Sequence, residues 1–295
     1  MEKIAKLSKF ILKLAPEVSQ KIKDSCRSIK KIPRNKRQDR TISLDHQIGA
    51  YLAKNILKEF DGVRIDSEEI EDRSGKGEII VRIDPVDGSK HVLCGIDLVA
   101  SAISVTYKGE VVFGLVINPF SEKFYWAYKN RGAFLNGRRI KVNQEGIETS
   151  FVMREDPTSK LFRDDAEEFR KCVKVSEIIM KNSFRSRNIG VGSLSVCWVA
   201  EGAASAYLGL SGTTKLYDIE AAILIAEEAG ARACDLEGNP ITSSSLVQLS
   251  KKGGSKKHLD RGVIVAGPKA FNQISKLLRQ NYSGRNARYI AARYK

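Results

Sequence analysis

Residues Ile79 to Val92 read IIVRIDPVDGSKHV. An apolar, β-prone run (Ile79, Ile80, Val81, Ile83) ends abruptly in Asp84-Pro85-Val86-Asp87-Gly88-Ser89. Two carboxylates three residues apart at the end of a buried-looking strand are costly unless something positive sits between them. Hard divalent cations take oxygen ligands, and Mg²⁺ typically uses a few carboxylates together with substrate phosphate oxygens. Gly88 lets backbone approach a ligand closely, and Ser89 reads as the N-cap of a helix whose free amides and dipole face the same spot. Metal and anion chemistry therefore coincide within six residues, Asp84 to Ser89. Asp, Pro and Gly are also the usual turn residues, so on its own the stretch is equally a strand ending in an Asp-Pro turn. Other parts of the chain decide between the two.

At 295 residues and 42% hydrophobic content, the chain can build one large domain or two ordinary ones around a proper core. No apolar run is long enough to span a bilayer. Near the N-terminus Ile4, Leu7, Ile11 and Leu14 recur at helical spacing among Lys3, Lys6, Lys9 and Lys13. That is an amphipathic helix rather than a signal peptide, and a cytoplasmic location is expected. Five cysteines are scattered without a CxxC and read as buried, reduced thiols. The three histidines are far apart and resemble no zinc site. The formal charge of +15 is concentrated in Lys21–Arg40, Lys251–Lys257 and Arg279–Lys295. No RNA-binding aromatic motif or helix-turn-helix pattern accompanies it. Solvated faces and flexible segments are therefore the first reading, steering of an anionic small substrate the second, and nucleic-acid binding the third.

Residues 1–40 read as a basic helical arm broken near Pro16 and ending near Pro33. An N-terminal α+β domain (41–146) with the Asp84–Ser89 site follows, then a C-terminal α/β domain (147–295) with a basic tail. A helix is expected from about Ser43 to Phe60, with Asp45 on its apolar face beside Ile48, Leu52 and Ile56. Ala102–Tyr107 and Val111–Ile117, joined by Lys108-Gly109-Glu110, read as a hairpin, with Phe124–Tyr128 as the next strand. Asp165–Lys181 has a helical pattern. Asp218 stands at the start of a helix carrying Ile219, Ala222, Ile223, Ala226 and Ala229 and closed by Gly230. A simple helix cap is the plain reading of that Asp. Glu220 reads as helix-surface charge, Asp97 as a turn cap, and the Glu68-Glu69 pair as a solvated loop.

Taken in order, these elements resemble the inositol monophosphatase superfamily of lithium-sensitive, Mg²⁺-dependent phosphatases. The likeness runs from about Lys36 to Gly267. Its motifs here are Asp45, Glu68-Glu69, Asp84-Pro85-Val86-Asp87-Gly88-Ser89 and Tyr217-Asp218-Ile219-Glu220-Ala221-Ala222. Gly132-Ala133-Phe134-Leu135-Asn136-Gly137, Gly192-Ser193 and Val199-Ala200-Glu201-Gly202 also fit. The resemblance implies a layered αβαβα sandwich of the sugar phosphatase type, usually a homodimer, with two or three Mg²⁺ per site. It implies that Asp84, Asp87 and Asp218 hold the metals, with Glu69 and the Val86 carbonyl completing the first. Gly88 and Ser89 amides would bind phosphate, and Ser89, oriented by Asp45, would help Glu69 activate water. Gly192, Ser193 and Leu194 would line the far side of the substrate. Asp87 is expected to have no structural partner for its charge.

Four departures from the family pattern are present, the first being Ser89, which replaces the commoner Thr and keeps the hydroxyl. Tyr217 stands where the family has Trp. Ile189 stands where an Arg is expected. Leu208–Gly212 lacks the acid that often contacts inositol hydroxyls. The spacing from Ser89 to Gly95 looks like archaeal enzymes with dual inositol monophosphatase and fructose-1,6-bisphosphatase activity. Lys90 instead looks like the 3'(2'),5'-bisphosphate nucleotidases, where it could reach a second phosphate, or it is simply solvent-facing. The expected function is hydrolysis of a small phosphorylated polyol or sugar by metal-activated water. A nucleotidase, or a nucleic-acid-binding or regulatory protein on a decayed phosphatase scaffold, are the rivals.

Overall fold

A computed structural model describes residues 2–67, 77–212, 214–250 and 262–281, by backbone only at 247–250. Glu68, Glu69, the loop at 251–257 and the tail from 282 on lie outside the described residues.

The first half of the chain forms α1 (Glu2–Lys30), α2 (Gln38–Glu59), β1 (Val63–Ser67), β2 (Ile79–Asp87), α3 (Ser89–Cys94), β3 (Ala100–Tyr107), β4 (Glu110–Asn118), β5 (Lys123–Tyr128), β6 (Gly132–Leu135) and β7 (Arg138–Ile140). The second forms β8 (Phe151–Glu155), α4 (Ser159–Asp164), α5 (Ala166–Asn182), β9 (Arg185–Asn188), α6 (Gly192–Ala200), β10 (Ala206–Gly209), α7 (Leu216–Glu228), β11 (Arg232–Asp235), α8 (Ser243–Ser250), β12 (Val263–Ala266) and α9 (Pro268–Asn281). Strands β1 to β7 make a seven-stranded sheet in chain order, while the second, five-stranded sheet runs β11-β12-β10-β8-β9. The hairpin expected around Lys108-Gly109 is present, with Lys108 and Gly109 both at positive φ as a tight strand reversal requires.

Side chains alternate across a strand, and both faces of the large sheet are buried. Ile103, Val105, Phe113, Leu115 and Ile117 pack with α1 and α2. Ala100, Ala102, Val116, Tyr125, Ala127 and Ala133 face α6 and α7. Four alanines on this inner face, Ala100, Ala102, Ala127 and Ala133, let helices come close. A Cβ at Gly114 would lie 2.7 Å from the Ala221 carbonyl oxygen on α7. Helices α5 and α9 cover the outer face of the second sheet through Val175, Ile179, Phe271 and Ile274. The layers are thus helices, sheet, helices, sheet, helices: the αβαβα sandwich.

Pro16 does not break α1, contrary to the sequence expectation. Proline removes one helical hydrogen bond and crowds the preceding turn, at about 3 kcal/mol. On either side of it Leu7, Ile11, Val18 and Ile22 are fully buried in the cluster that α1 shares with α2 and the large sheet. Each such side chain contributes about 1.5–3 kcal/mol, so packing outweighs the defect. Helix α2 starts earlier than expected, at Gln38. Arg37 is the reason. Its guanidinium donates to the carbonyls of Ile32 (2.8 Å), Lys30 (3.0 Å) and Leu93 (3.1 Å), so the link after α1 is short and tied to α3. One of the five cysteines is not buried as expected: Cys94, at the end of α3, is exposed.

Candidate active site

The Asp84–Ser89 stretch owes its shape to one irregularity. Asp84 lies opposite Ala102 and Asp87 opposite Ala100, so β2 advances three residues while β3 advances two. In a regular strand, residues three apart point to opposite faces. The extra residue is a bulge, and it returns Asp87 to the face that carries Asp84. Pro85, which has no N–H to give to the sheet, is tolerated there. Asp84 is buried, and its Oδ1 accepts from the Val86 amide at 3.0 Å.

Gly88, not Ser89, is the N-cap of α3, a correction of one position. The reversal needs φ +85°, a left-handed value, and a Cβ there would lie 2.8 Å from Val191 Cγ2. Only glycine fits both conditions. Ser89 is the first residue of α3 and is half-buried, while Lys90 is exposed. Asp45 is buried on α2, in the helical layer that also holds α3.

Asp87 joins the two halves of the chain. Its Oδ2 accepts from the Ser193 amide at 2.9 Å and from the Ser193 hydroxyl at 2.5 Å. The expectation that Asp87 lacks a structural partner is thereby corrected. Ser193 lies in the first turn of α6, where backbone amides have no partner within the helix and a carboxylate is favoured. Gly192 and Leu194 flank it, and Leu194 is fully buried. Asp218 is the third residue of α7, and its Oδ2 accepts from the Lys215 amide at 3.0 Å. The expected helix start is therefore real. Among the described residues no three His, Cys, Asp or Glu side chains gather as a metal cage, and Glu69 lies outside them.

Glu220 is not the surface charge expected from the sequence. It is fully buried against the large sheet. Arg82 Nη1 donates to both its oxygens, at 2.8 and 3.0 Å, and the Ser104 and Thr106 hydroxyls donate at 3.1 and 3.2 Å. Burial raises the Glu220 pKa, and Arg82 and the hydroxyls act against the rise. Arg82 Nε also donates to Asp66 Oδ2 at 3.1 Å, and Tyr217 donates its hydroxyl proton to Asp66 Oδ1 at 2.8 Å. This network ties β2, two residues before Asp84, to α7 on either side of Asp218. Asp97 is likewise not a turn cap but an ion-pair partner of Lys30, at 2.5 Å.

One acid at the site was missed. Glu155 ends β8 directly opposite Gly209 of β10, within the stretch that carries no acid of its own. Burial, then the charge of Asp87, pushes its carboxyl up to about 7, with Tyr207 and Ser211 opposing. The buried Tyr207 hydroxyl is raised in turn by burial and by the charges of Glu155, Asp87 and Asp218. These four groups therefore share one neighbourhood at the start of α6. A sequence signal did exist. Val152-Met153-Arg154-Glu155-Asp156-Pro157 ends in acids before a proline just as Ile80-Val81-Arg82-Ile83-Asp84-Pro85 does.

A profile of the inositol monophosphatase family matches residues 3–282. The chain belongs to this family. It is 33% identical over 198 residues to the fructose-1,6-bisphosphatase/inositol-1-monophosphatase of Methanocaldococcus jannaschii, covering 66% of this chain and 71% of that protein. To human inositol monophosphatase 2 it is 28% identical over 215 residues, covering 69% and 70%. The crystal structure of the extragenic suppressor protein suhB from Bartonella henselae superposes with a TM-score of 0.73 at 19% identity, covering 94% of this chain and 99% of that one. That structure shares the layered fold.

Proposed function

We propose that this inositol monophosphatase family member is an Mg²⁺-dependent phosphomonoesterase acting on a small phosphorylated polyol or sugar, inositol-1-phosphate or fructose-1,6-bisphosphate among them. The observation that carries the reading is the docking of Asp87 onto Ser193 at the start of α6. It joins the Asp84–Ser89 turn of the first half to the Gly192–Ser193 turn of the second.

The donor set suits Mg²⁺ by its chemistry, because it is made of hard oxygen ligands alone. Asp84, Asp87, Asp218, Glu69 and the Val86 carbonyl would hold two or three ions. Bound there, Mg²⁺ would acidify a water and offset charge on the phosphoryl oxygens. The protein's own groups do the rest. The Gly88 and Ser89 amides bind the phosphoryl oxygens, Ser89 with Asp45 orients the water, and Glu69 accepts its proton. The water oxygen bonds to phosphorus as the ester P–O bond breaks, the departing alcohol oxygen takes a proton from solvent water, and Glu69 returns the proton it accepted to solvent. Gly192, Ser193 and Leu194 line the side where the alcohol sits, and Lys90 lies at the exposed rim.

Phosphate release from inositol-1-phosphate, fructose-1,6-bisphosphate and adenosine 3',5'-bisphosphate, with Mg²⁺ and with chelator, tests the reading. Release is expected only with Mg²⁺. Asp87→Asn should lower it more than about 100-fold, since groups that merely support metal ligands already cost 10- to 100-fold. The fold should survive, because the amide oxygen can still accept from Ser193. Undiminished release by the variant, or by chelated wild-type protein, refutes the assignment. Release from none of the substrates favours a binding or regulatory protein.

A further inference from the structure

We infer that Tyr217 is a positioning residue for the metal acids: through Asp66 and Arg82 it fixes Asp218 of α7 relative to Asp84 of β2. The inference rests on the assignment of Asp84 and Asp218 to Mg²⁺ and adds to it what holds the two acids at one spacing.

The bonds close a ring. The Tyr217 hydroxyl donates to Asp66 Oδ1 at 2.8 Å, and Arg82 Nε donates to Asp66 Oδ2 at 3.1 Å. Arg82 Nη1 then donates to the two Glu220 oxygens at 2.8 and 3.0 Å. The ring leaves α7 at Tyr217, crosses β1 and β2, and returns to α7 at Glu220. Asp218 lies between its two ends, directly after Tyr217. Strand register sets the sheet side of the ring. Asp66 stands opposite Arg82 in the β1–β2 pairing, and Arg82 opposite Ser104 in β2–β3. These three form one row facing α7, and the Ser104 hydroxyl also donates to Glu220, at 3.1 Å. Asp84 is two residues beyond Arg82, on the same face and about 7 Å further along the strand. β1 ends at Ser67, and Glu69 follows Asp66 by three residues in the chain. The elements that lead to Asp84, Asp218 and Glu69 thus each carry a member of the ring.

Apolar contact alone would not hold this spacing. Under α7 the sheet presents Ala100, Ala102 and Gly114, and a Cβ at Gly114 would lie 2.7 Å from the Ala221 carbonyl oxygen. Such a surface fixes how near the helix lies but resists little its turning or sliding, whereas hydrogen bonds are directional. Asp66, Arg82 and Glu220 are all buried. Burying charges is often no better for stability than filling the same space with hydrocarbon, so stability alone does not account for the ring. Fixing register is the best-attested use of buried charged groups. The residue at 217 suits the task. Tyrosine carries its O–H at the far end of the ring, whereas tryptophan carries an N–H on the ring flank and phenylalanine has no donor. Tyr217, where the family has Trp, and Asp66 are one matched pair.

The test measures Mg²⁺ binding by titration calorimetry without substrate, in wild type, Tyr217→Phe and Tyr217→Trp. Phosphate release is followed in parallel across Mg²⁺ concentration. Removing a group that orients metal ligands costs about 10- to 100-fold in affinity, so the Mg²⁺ Kd of Tyr217→Phe should rise about tenfold. Its phosphate release should fall most at limiting Mg²⁺ and recover as Mg²⁺ saturates, because the ions then draw the acids together themselves. Tyr217→Trp should not regain the affinity, since it places no donor on Asp66. In an Asp66→Ala background, Tyr217→Phe should raise Kd by less than about twofold more, as expected of two groups acting through one bond. A Tyr217→Phe protein with a lowered Tm but a Kd within about twofold of wild type would show a merely structural ring and overturn the positioning role. Wild-type affinity in Tyr217→Trp, or losses that add in the double variant, would overturn it as well. Each of these results leaves the phosphatase reading intact. Wild-type protein that neither binds Mg²⁺ nor releases phosphate removes that reading and this inference with it.

Discussion

Removing the Arg82 charge should expose the energetics of the buried network, because Glu220 then stays buried with only two hydroxyl donors. In the native protein Arg82 and Glu220 are nearly inaccessible, with side-chain exposures of 6% and 1%, and meet at 2.8 Å. Breaking a buried pair by deleting one partner costs about 3–5 kcal/mol, since the remaining charge is neither solvated nor matched. Arg82→Met keeps much of the side-chain volume while deleting the cation. At about 2.1 cal/mol/K per residue, the unfolding entropy of a chain of 295 residues is about 0.6 kcal/mol/K. The expected loss is therefore about 5–8 °C in Tm, read by circular dichroism. The pH dependence has a definite sign. Burial raises the Glu220 pKa and Arg82 pulls it back, so the variant's carboxyl rises further. A carboxyl raised in the folded state contributes stability below its unfolded value, about 4.3, and loses it as pH rises through the folded value. The deficit of Arg82→Met should consequently be smaller at pH 5 than at pH 8. Arg82→Met/Glu220→Gln should regain most of the loss, because the amide oxygen still accepts from Ser104 and Thr106. Asp66 also loses a bond to Arg82 but keeps that from Tyr217, so recovery should be incomplete. An unchanged Tm in the single variant, or a double variant no better than the single one, would refute the reasoning.

Gly88→Ala should destabilise by about 2–4 kcal/mol, combining a left-handed backbone penalty with overpacking against Val191 and the Leu98 carbonyl. A denaturant midpoint equal to wild type would contradict that geometry. A thiol reagent should modify one cysteine rapidly in the native protein, Cys94, and all five after denaturation. Burial raises the pKa of Cys26 to about 11 and of Cys172 and Cys234 to about 12, and holds Cys197 high as well. Two or more fast native thiols would show that one of these four is accessible.

Strands β2 to β5, and the start of α7, were legible in the sequence because local chemistry determines them. Proline, glycine and paired acids end β2, Lys108-Gly109 closes a hairpin, and a 3.6-residue period continues from Asp218 to Gly230. The membership of Asp84, Asp87 and Asp218 in one motif could likewise be read as an ordered pattern. The face each acid presents could not. Asp84 and Asp87 share a face only through the bulge in β2, which appears in the pairing with Ala100 and Ala102. Asp87 is held by Ser193, 106 residues further on, a relation that no local pattern encodes. Glu220 was misread for a related reason. A charged residue on a helix reads as surface, and that reading fails for α7, which is buried from Ile219 to Ala226 between two sheets. Whether an acid there is a solvated charge or one half of a buried pair depended on Arg82 arriving from a strand 138 residues away. Glu155 was hidden in the same way, because its significance lies in the α6 start that packs against it. Turn chemistry and helical periodicity are set by neighbours in the chain; burial and charge matching are set by neighbours in space, and only the assembled layers supply those.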